Sequence, residues 1–209
     1  SGQEWLAQRA EAGDHLIEAM NDPDQLVRLS AINAVGALRH DLAVRALMDF
    51  CGYYKRDKLG LASLNALAHI AHPSSAGQFA NAFDVNDEEL RRIALEGMAR
   101  IGDRAALSAL LSRAAADRSP VVRQAAAFAR ASAGDFSDLG VITGGFRSAD
   151  LEQNTFGYLV ELGSAVVPSL GGAASSRDAR VRAGVAEVLG VIGSAATLPA
   201  LDLLARDRD

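Results

Sequence analysis

The chain is self-similar at a spacing near thirty residues, and that repetition limits its fold more than any other feature. An apolar residue followed by arginine recurs at Val27-Arg28, Leu90-Arg91, Val122-Arg123 and Val181-Arg182. Eleven residues after the last three of these arginines stand Gly102, Gly134 and Gly193. Two divergent copies fill the gaps, Leu59-Gly60 leading to Ala71 and Leu151-Glu152 leading to Gly163. The equivalent terminators are Arg39, Ala71, Gly102, Gly134, Gly163 and Gly193, at steps of 32, 31, 32, 29 and 30.

Within each copy the apolar residues step by four, four and three, which makes one face of an α-helix. Val27, Ala31, Val35 and Leu38 show the pattern, as do Leu59, Ser63, Leu67 and Ile70, and Leu90, Ala94, Met98 and Ile101. The last copy has Val181, Val185, Leu189 and Ile192. The second position is small (Ala31, Ser63, Ala94, Ala126, Thr155), which lets neighbouring helices approach closely. Asp24, Asp87, Ser119 and Asp178 each precede a repeat arginine by four residues and suit an N-cap. Pro120 fits a first helical position, and a terminal glycine suits a left-handed residue closing the helix. A shorter second helix is expected after each terminator, with Pro168 and Pro199 near its start.

The expected fold is therefore all-α, an α-solenoid (superhelix) of stacked antiparallel helix pairs. Six repeats are expected over 21–209, at about 21–52, 53–83, 84–116, 117–146, 147–174 and 175–209. Residues 1–20 are expected to hold a partial N-terminal helix pair, joined near Gly13-Asp14-His15, with Ser1-Gly2 reading as the scar of a cleaved tag. Trp5 would cover apolar surface at that end, and another unit could begin at Asp207-Arg208-Asp209. Gly144-Gly145 and Gly171-Gly172 lack the context of a phosphate loop and are expected to mark loose loops.

The aspartate-to-arginine starts, such as Asp87-Glu-Glu-Leu-Arg91 and Asp178-Ala-Arg-Val-Arg182, carry a resemblance to a known family. So do the stripe of small residues, the closing glycine and the Leu198-Pro-Ala-Leu201 second helix. Together they resemble the HEAT-like repeats of the phycobilisome-lyase type, from about residue 14 to the end. The resemblance implies a helical-repeat scaffold whose second helices line the concave face. It also permits a bilin-lyase-like enzyme subunit. For Arg28, Arg91, Arg123 and Arg182 it implies a structural ladder rather than a ligand site.

Charge and composition narrow the function. The net charge is −5, which argues against a dedicated nucleic-acid surface. The expected second helices mix Arg45, Arg104 and Arg113 with Asp41, Asp49, Asp138 and Asp202, which is no groove for a polyanion. A HEAT-like DNA glycosylase is disfavoured on that ground. Cys51 is the only cysteine, so neither an internal disulfide nor a cysteine-based zinc site can form. The histidines are His15, His40, His69 and His72, and only His40 is directly followed by an acid, Asp41. That sets aside the di-iron site of the HEAT-repeat deoxyhypusine hydroxylases. No apolar run approaches a membrane span, so no membrane insertion is expected. The compartment stays open, with the cytoplasm the first expectation.

What remains points to a non-enzymatic interaction module for a protein or peptide partner, of unspecified oligomeric state. We expect no catalytic, cofactor or metal site. Aromatics are only 5% of the chain, yet Phe50, Tyr53, Tyr54, Phe79 and Phe83 gather near two successive second helices. Such anchors dominate protein interfaces. The segment Tyr53-Tyr54-Lys55-Arg56-Asp57-Lys58 adds basic groups that could hold an acidic peptide or a nucleic-acid backbone. The candidate contacts are Arg45, Tyr53, Tyr54, Gln78, Asn81 and Arg104.

Overall fold

Five of the six first helices are opened by a side-chain cap, and each is followed by a residue with positive φ. The computed structural model describes residues 2–55 and 57–207, without the side chains of residues 2–7 and 9. The expectations placed on Ser1, Trp5, Arg56 and the last two residues lie outside the described residues. The chain forms two compact units, Ser1–Arg113 and Ala114–Asp209. All regular structure among the described residues is helical.

The first unit holds α1 (Gly2–Ala19), α2 (Gln25–Ala37), α3 (Val44–Tyr54), α4 (Lys58–Ile70), α5 (Ala76–Phe83), α6 (Glu88–Ile101) and α7 (Arg104–Ala114). Helices α2, α4 and α6 pack side by side as one layer, with α1 against α2. Helix α3 lies on α4 and α5 on α6, forming a second layer. The second unit holds α8 (Pro120–Ser132), α9 (Leu139–Thr143), α10 (Ala149–Leu162), α11 (Gly171–Ala174), α12 (Ala179–Ile192) and α13 (Leu198–Leu204). There α8, α10 and α12 are successive neighbours, α9 packs on α8 and α10, and α11 and α13 pack on α12. Single turns of tighter 3-10 helix lead into several second helices, as at Asp41–Ala43, Pro73–Ser75 and Ala195–Thr197.

The starts follow from short polar side chains. Asp24 accepts from the Leu26 N–H, Asp57 from Leu59 and Gly60, Asp87 from Glu89 and Leu90, and Asp178 from Arg180. Ser119 accepts from Val122, with Pro120 at the first helical position. These bonds satisfy N–H groups that the helix cannot pair internally. The ends follow from backbone conformation. Arg39, Ala71, Gly102, Gly134, Gly163 and Gly193 all have positive φ, between 49° and 92°. Lys55, at φ 49°, is the one other such residue among the described residues.

The core is aliphatic, as the composition demands. Ile32, Val35, Leu47, Leu59, Leu67 and Leu95 are fully buried in the first unit. In the second, Ile142, Leu159 and Val185 are buried beside Phe128 and Tyr158, which stack at 4.4 Å. Each such side chain contributes roughly 1.5–3 kcal/mol on burial. The small second positions Ala31, Ser63, Ala94, Ala126 and Thr155 are all buried. Close approach is explicit at Gly36, where an added Cβ would lie 2.8 Å from the Ala66 Cα on α4.

Several expectations need correction. Residues 2–19 form one unbroken helix rather than a partial pair. Gly13 is not a join; it is buried because the His40 ring packs where its Cβ would stand. Val27 is 41% exposed, whereas its counterparts Leu59, Leu90, Val122 and Val181 are buried. The glycine pairs are not loose loops. Gly171-Gly172 starts α11, and Gly145 is buried under Gln124 and Thr155. The Gln124 amide donates to the Thr155 hydroxyl (2.7 Å) and the Ile142 carbonyl (3.3 Å), tying three helices of the second unit.

Ala71 holds a left-handed conformation (φ 59°, ψ 33°) that costs an L-residue roughly 1–2 kcal/mol. Greater freedom of glycine in the unfolded chain offsets part of any gain from replacing it. Ala71→Gly should therefore stabilise the protein by about 0.5–1 kcal/mol, a rise of about 1–4 °C in the melting temperature. A lower melting temperature would contradict the assignment of Ala71 as the equivalent of the terminal glycines.

Candidate functional site

The repeat arginines are committed to the backbone. The Arg28 Nη1 donates to the carbonyls of Asp22 (2.7 Å) and Pro23 (3.0 Å). Arg123 makes the same pair of bonds to Asp117 (2.9 Å) and Arg118 (2.8 Å). Arg91 donates to the Val85 carbonyl and Arg182 to that of Ser176. Each guanidinium thus holds the loop just before its own helix. The residue that starts the loop adds a further bond, since Asp22, Asp117 and Ser176 accept from the N–H of the cap residues Asp24, Ser119 and Asp178.

The other ionisable clusters are also accounted for inside the fold. Glu96 is buried on α6 between Arg92 and Arg100, which lie one turn away on either side. This ion triad carried no signal in the repeat pattern, because its members sit outside the recurring positions. His40 lies 3.5 Å from Asp14, His15 lies 3.8 Å from Glu18, and His72 accepts from the Ser74 N–H. No three metal-ligating side chains gather among the described residues. No described helix is long and apolar enough to cross a membrane.

The six candidate contacts separate into three groups. Tyr53 and Tyr54 end α3, with Tyr53 81% exposed. Their rings meet edge to face at 4.8 Å, and Tyr54 meets Phe50 likewise at 5.4 Å. They line a cavity of about 320 Å³ together with Met20, Arg28 and Asp49. Gln78 and Asn81 lie on α5 and line a separate cavity of about 260 Å³. Arg45 and Arg104 are exposed and line neither of these cavities. Arg45 lies 3.3 Å from Asp49. Phe79 and Phe83 are core, with Arg113 over the Phe83 ring and bonded to Asp84 at 2.6 Å.

The cavity between α3 and α5 has an apolar lining of Leu64, Ala82, Val85 and Leu90. Cys51 and Lys55 form its α3 side. The sequence pointed to Lys55 only as part of the basic segment 53–58 and to Cys51 only as the lone cysteine, and neither is among the six candidate contacts. Gly60 is obligatory beneath them: a Cβ on it would collide with the Lys55 carbonyl, where the chain doubles back from α3 into α4. The Cys51 Sγ lies 3.8 Å from the Gly60 carbonyl, and burial pushes the thiol up to about 12.

Two outcomes follow from these assignments. Arg123→Ala should lower stability by about 1–2 kcal/mol through lost charge-assisted bonds, without altering binding at the α3–α5 groove. Weakened binding at unchanged stability would assign that arginine to a ligand instead. Cys51 should react with iodoacetamide at pH 8 far more slowly in the folded chain than in denaturant, because the thiolate is the nucleophile. Its raised pKa also means that stability falls as pH rises from about 9 towards 12, where only the unfolded thiol ionises. Equal labelling of the folded and unfolded chains would refute the burial argument.

Two family models match the chain, one described as HEAT repeats over residues 55–131 and one as HEAT repeat over residues 14–38. No curated protein matches it. The matched segments lie in the first unit and the opening helix of the second. Residues 14–38 and 55–131 are thus similar to HEAT repeats, and the fold is an all-α solenoid of stacked helix pairs.

Proposed function

We propose that the chain is a non-enzymatic docking module that takes a segment of a partner protein into the groove between α3 and α5. The observation that carries this reading is the groove itself. It is an open cavity of about 260 Å³, apolar at its base and rimmed by the amides of Gln78 and Asn81. An apolar base stabilises a buried side chain, and amides at the rim offer both donors and acceptors to a peptide. HEAT repeats commonly serve as protein-interaction scaffolds.

Size and charge favour a peptide over the other ligands. Small-molecule sites run from about 300 to 1,000 Å³, and this groove falls below them. It suits one or two side chains better than the tetrapyrrole that a phycobilisome-lyase relationship would require. A nucleic acid would need uncompensated basic groups, whereas Arg45 and Arg113 on the second helices are each paired with an aspartate.

Peptides selected from a displayed random library on the purified chain provide the test. Asn81→Trp places an indole at the rim of the groove and should lower their affinity at least tenfold. Ser108→Trp, at an exposed position of α7, should leave it unchanged. Equal affinity for wild type and Asn81→Trp would sink the proposal.

A further inference from the structure

The α3–α5 groove has a counterpart within the second unit. Gln78, Asn81 and Val85 recur there, at identical spacing, as Ser169, Gly172 and Ser176. They line a cavity of about 320 Å³ between the second helices α9 and α11. A basic residue follows the preceding second helix in both grooves, Lys55 in one and Arg147 in the other. The repeat therefore builds the same recess twice with a cation at the same place.

The two cations differ in what surrounds them. Arg147 donates to Asp178 at 3.0 Å, so its charge is answered within the fold. Lys55 is exposed and has no ion-pair partner among the described residues. The acids around it are engaged elsewhere. Asp57 caps α4, Asp87 caps α6, and Asp84 holds Arg113. Lys55 is also fixed in place, because its backbone (φ 49°, ψ −106°) forms the turn that Gly60 permits.

We infer that the α3–α5 groove selects an acidic-aliphatic segment of a partner protein: an aliphatic side chain in the recess and a neighbouring Asp or Glu carboxylate on the Lys55 ammonium. This rests on the peptide-docking reading above and adds the partner's chemistry. Leu64, Ala82, Val85 and Leu90 offer the aliphatic side chain an apolar floor, and Gln78 and Asn81 can donate further hydrogen bonds to the carboxylate. A rim ion pair of this kind sets selectivity and salt dependence more than total affinity.

The experiment is selection of a displayed random-peptide library on the full chain, followed by affinity measurement on variants. Enriched peptides should join an aliphatic residue to Asp or Glu and bind more weakly as salt is raised. Lys55→Glu should weaken them about fivefold to tenfold, and Lys55→Arg should retain them. Peptides with the acid changed to lysine should regain affinity for Lys55→Glu. Lys55→Gly separates charge from folding, because it relieves the positive φ and should raise the melting temperature while weakening binding. Enriched peptides that are neutral or basic, or that ignore Lys55→Glu while still losing affinity on Asn81→Trp, would overturn the acidic selectivity and leave the docking site standing. Peptides insensitive to Asn81→Trp, or no enrichment at all, would overturn both.

Discussion

The chain turns out of every first helix through a residue with positive φ, a conformation that L side chains disfavour. The six positions that end these helices all have positive φ, though two of them, Arg39 and Ala71, carry side chains that disfavour it. The opposite end is held as firmly. There, in α2, α6, α8 and α12, a short polar cap satisfies the first N–H groups while the repeat arginine gathers carbonyls of the loop before it. Fixing both ends fixes the length and phase of the first helix. The second helix then has little freedom in where it begins, and the grooves between second helices follow from that placement.

This dependence explains how much was legible beforehand. Caps and terminators are local features: a residue and its neighbours decide whether an N–H is capped or a φ is positive. Asp24, Asp87, Ser119, Asp178 and the six terminators could be read for that reason. Burial depends on what lies opposite, which the repeat pattern does not encode. Val27 has the same place in its repeat as Leu59, yet it is exposed where Leu59 is buried. Gly13 and Gly145 looked like chain breaks, but each makes room for a side chain distant in sequence, the ring of His40 in one case and Thr155 with Gln124 in the other.

The candidate site was less legible for the same reason. Gln78 and Asn81 stood out as polar residues on an expected second helix, and the structure places them on one cavity. Tyr53 and Tyr54 line a different one, although α3 contributes to both. The side of α3 that faces α5 carries Cys51 and Lys55. Neither is among the recurring residues the pattern was read from, and the close approach of Gly60 to the Lys55 carbonyl shows how Lys55 is placed.

The pairing of the rim cations shows how one repeat geometry can carry different selectivities. Asp178 caps α12 with one carboxylate oxygen and accepts from Arg147 with the other. Its carboxyl is held below the usual carboxylate range, first by the Arg180 backbone N–H and then by the Arg147 guanidinium, against an opposing desolvation. It therefore keeps its charge to a lower pH than an ordinary carboxylate, and Arg147 keeps its partner. Asp87 stands at the corresponding cap in the first unit but directs one oxygen, Oδ1, to both the Glu89 and Leu90 N–H groups. One groove thus neutralises its cation through a cap that serves two purposes, and the other leaves its cation to a partner. The difference arises in the loop between second and first helices, where the repeat tolerates variation without disturbing the helices themselves.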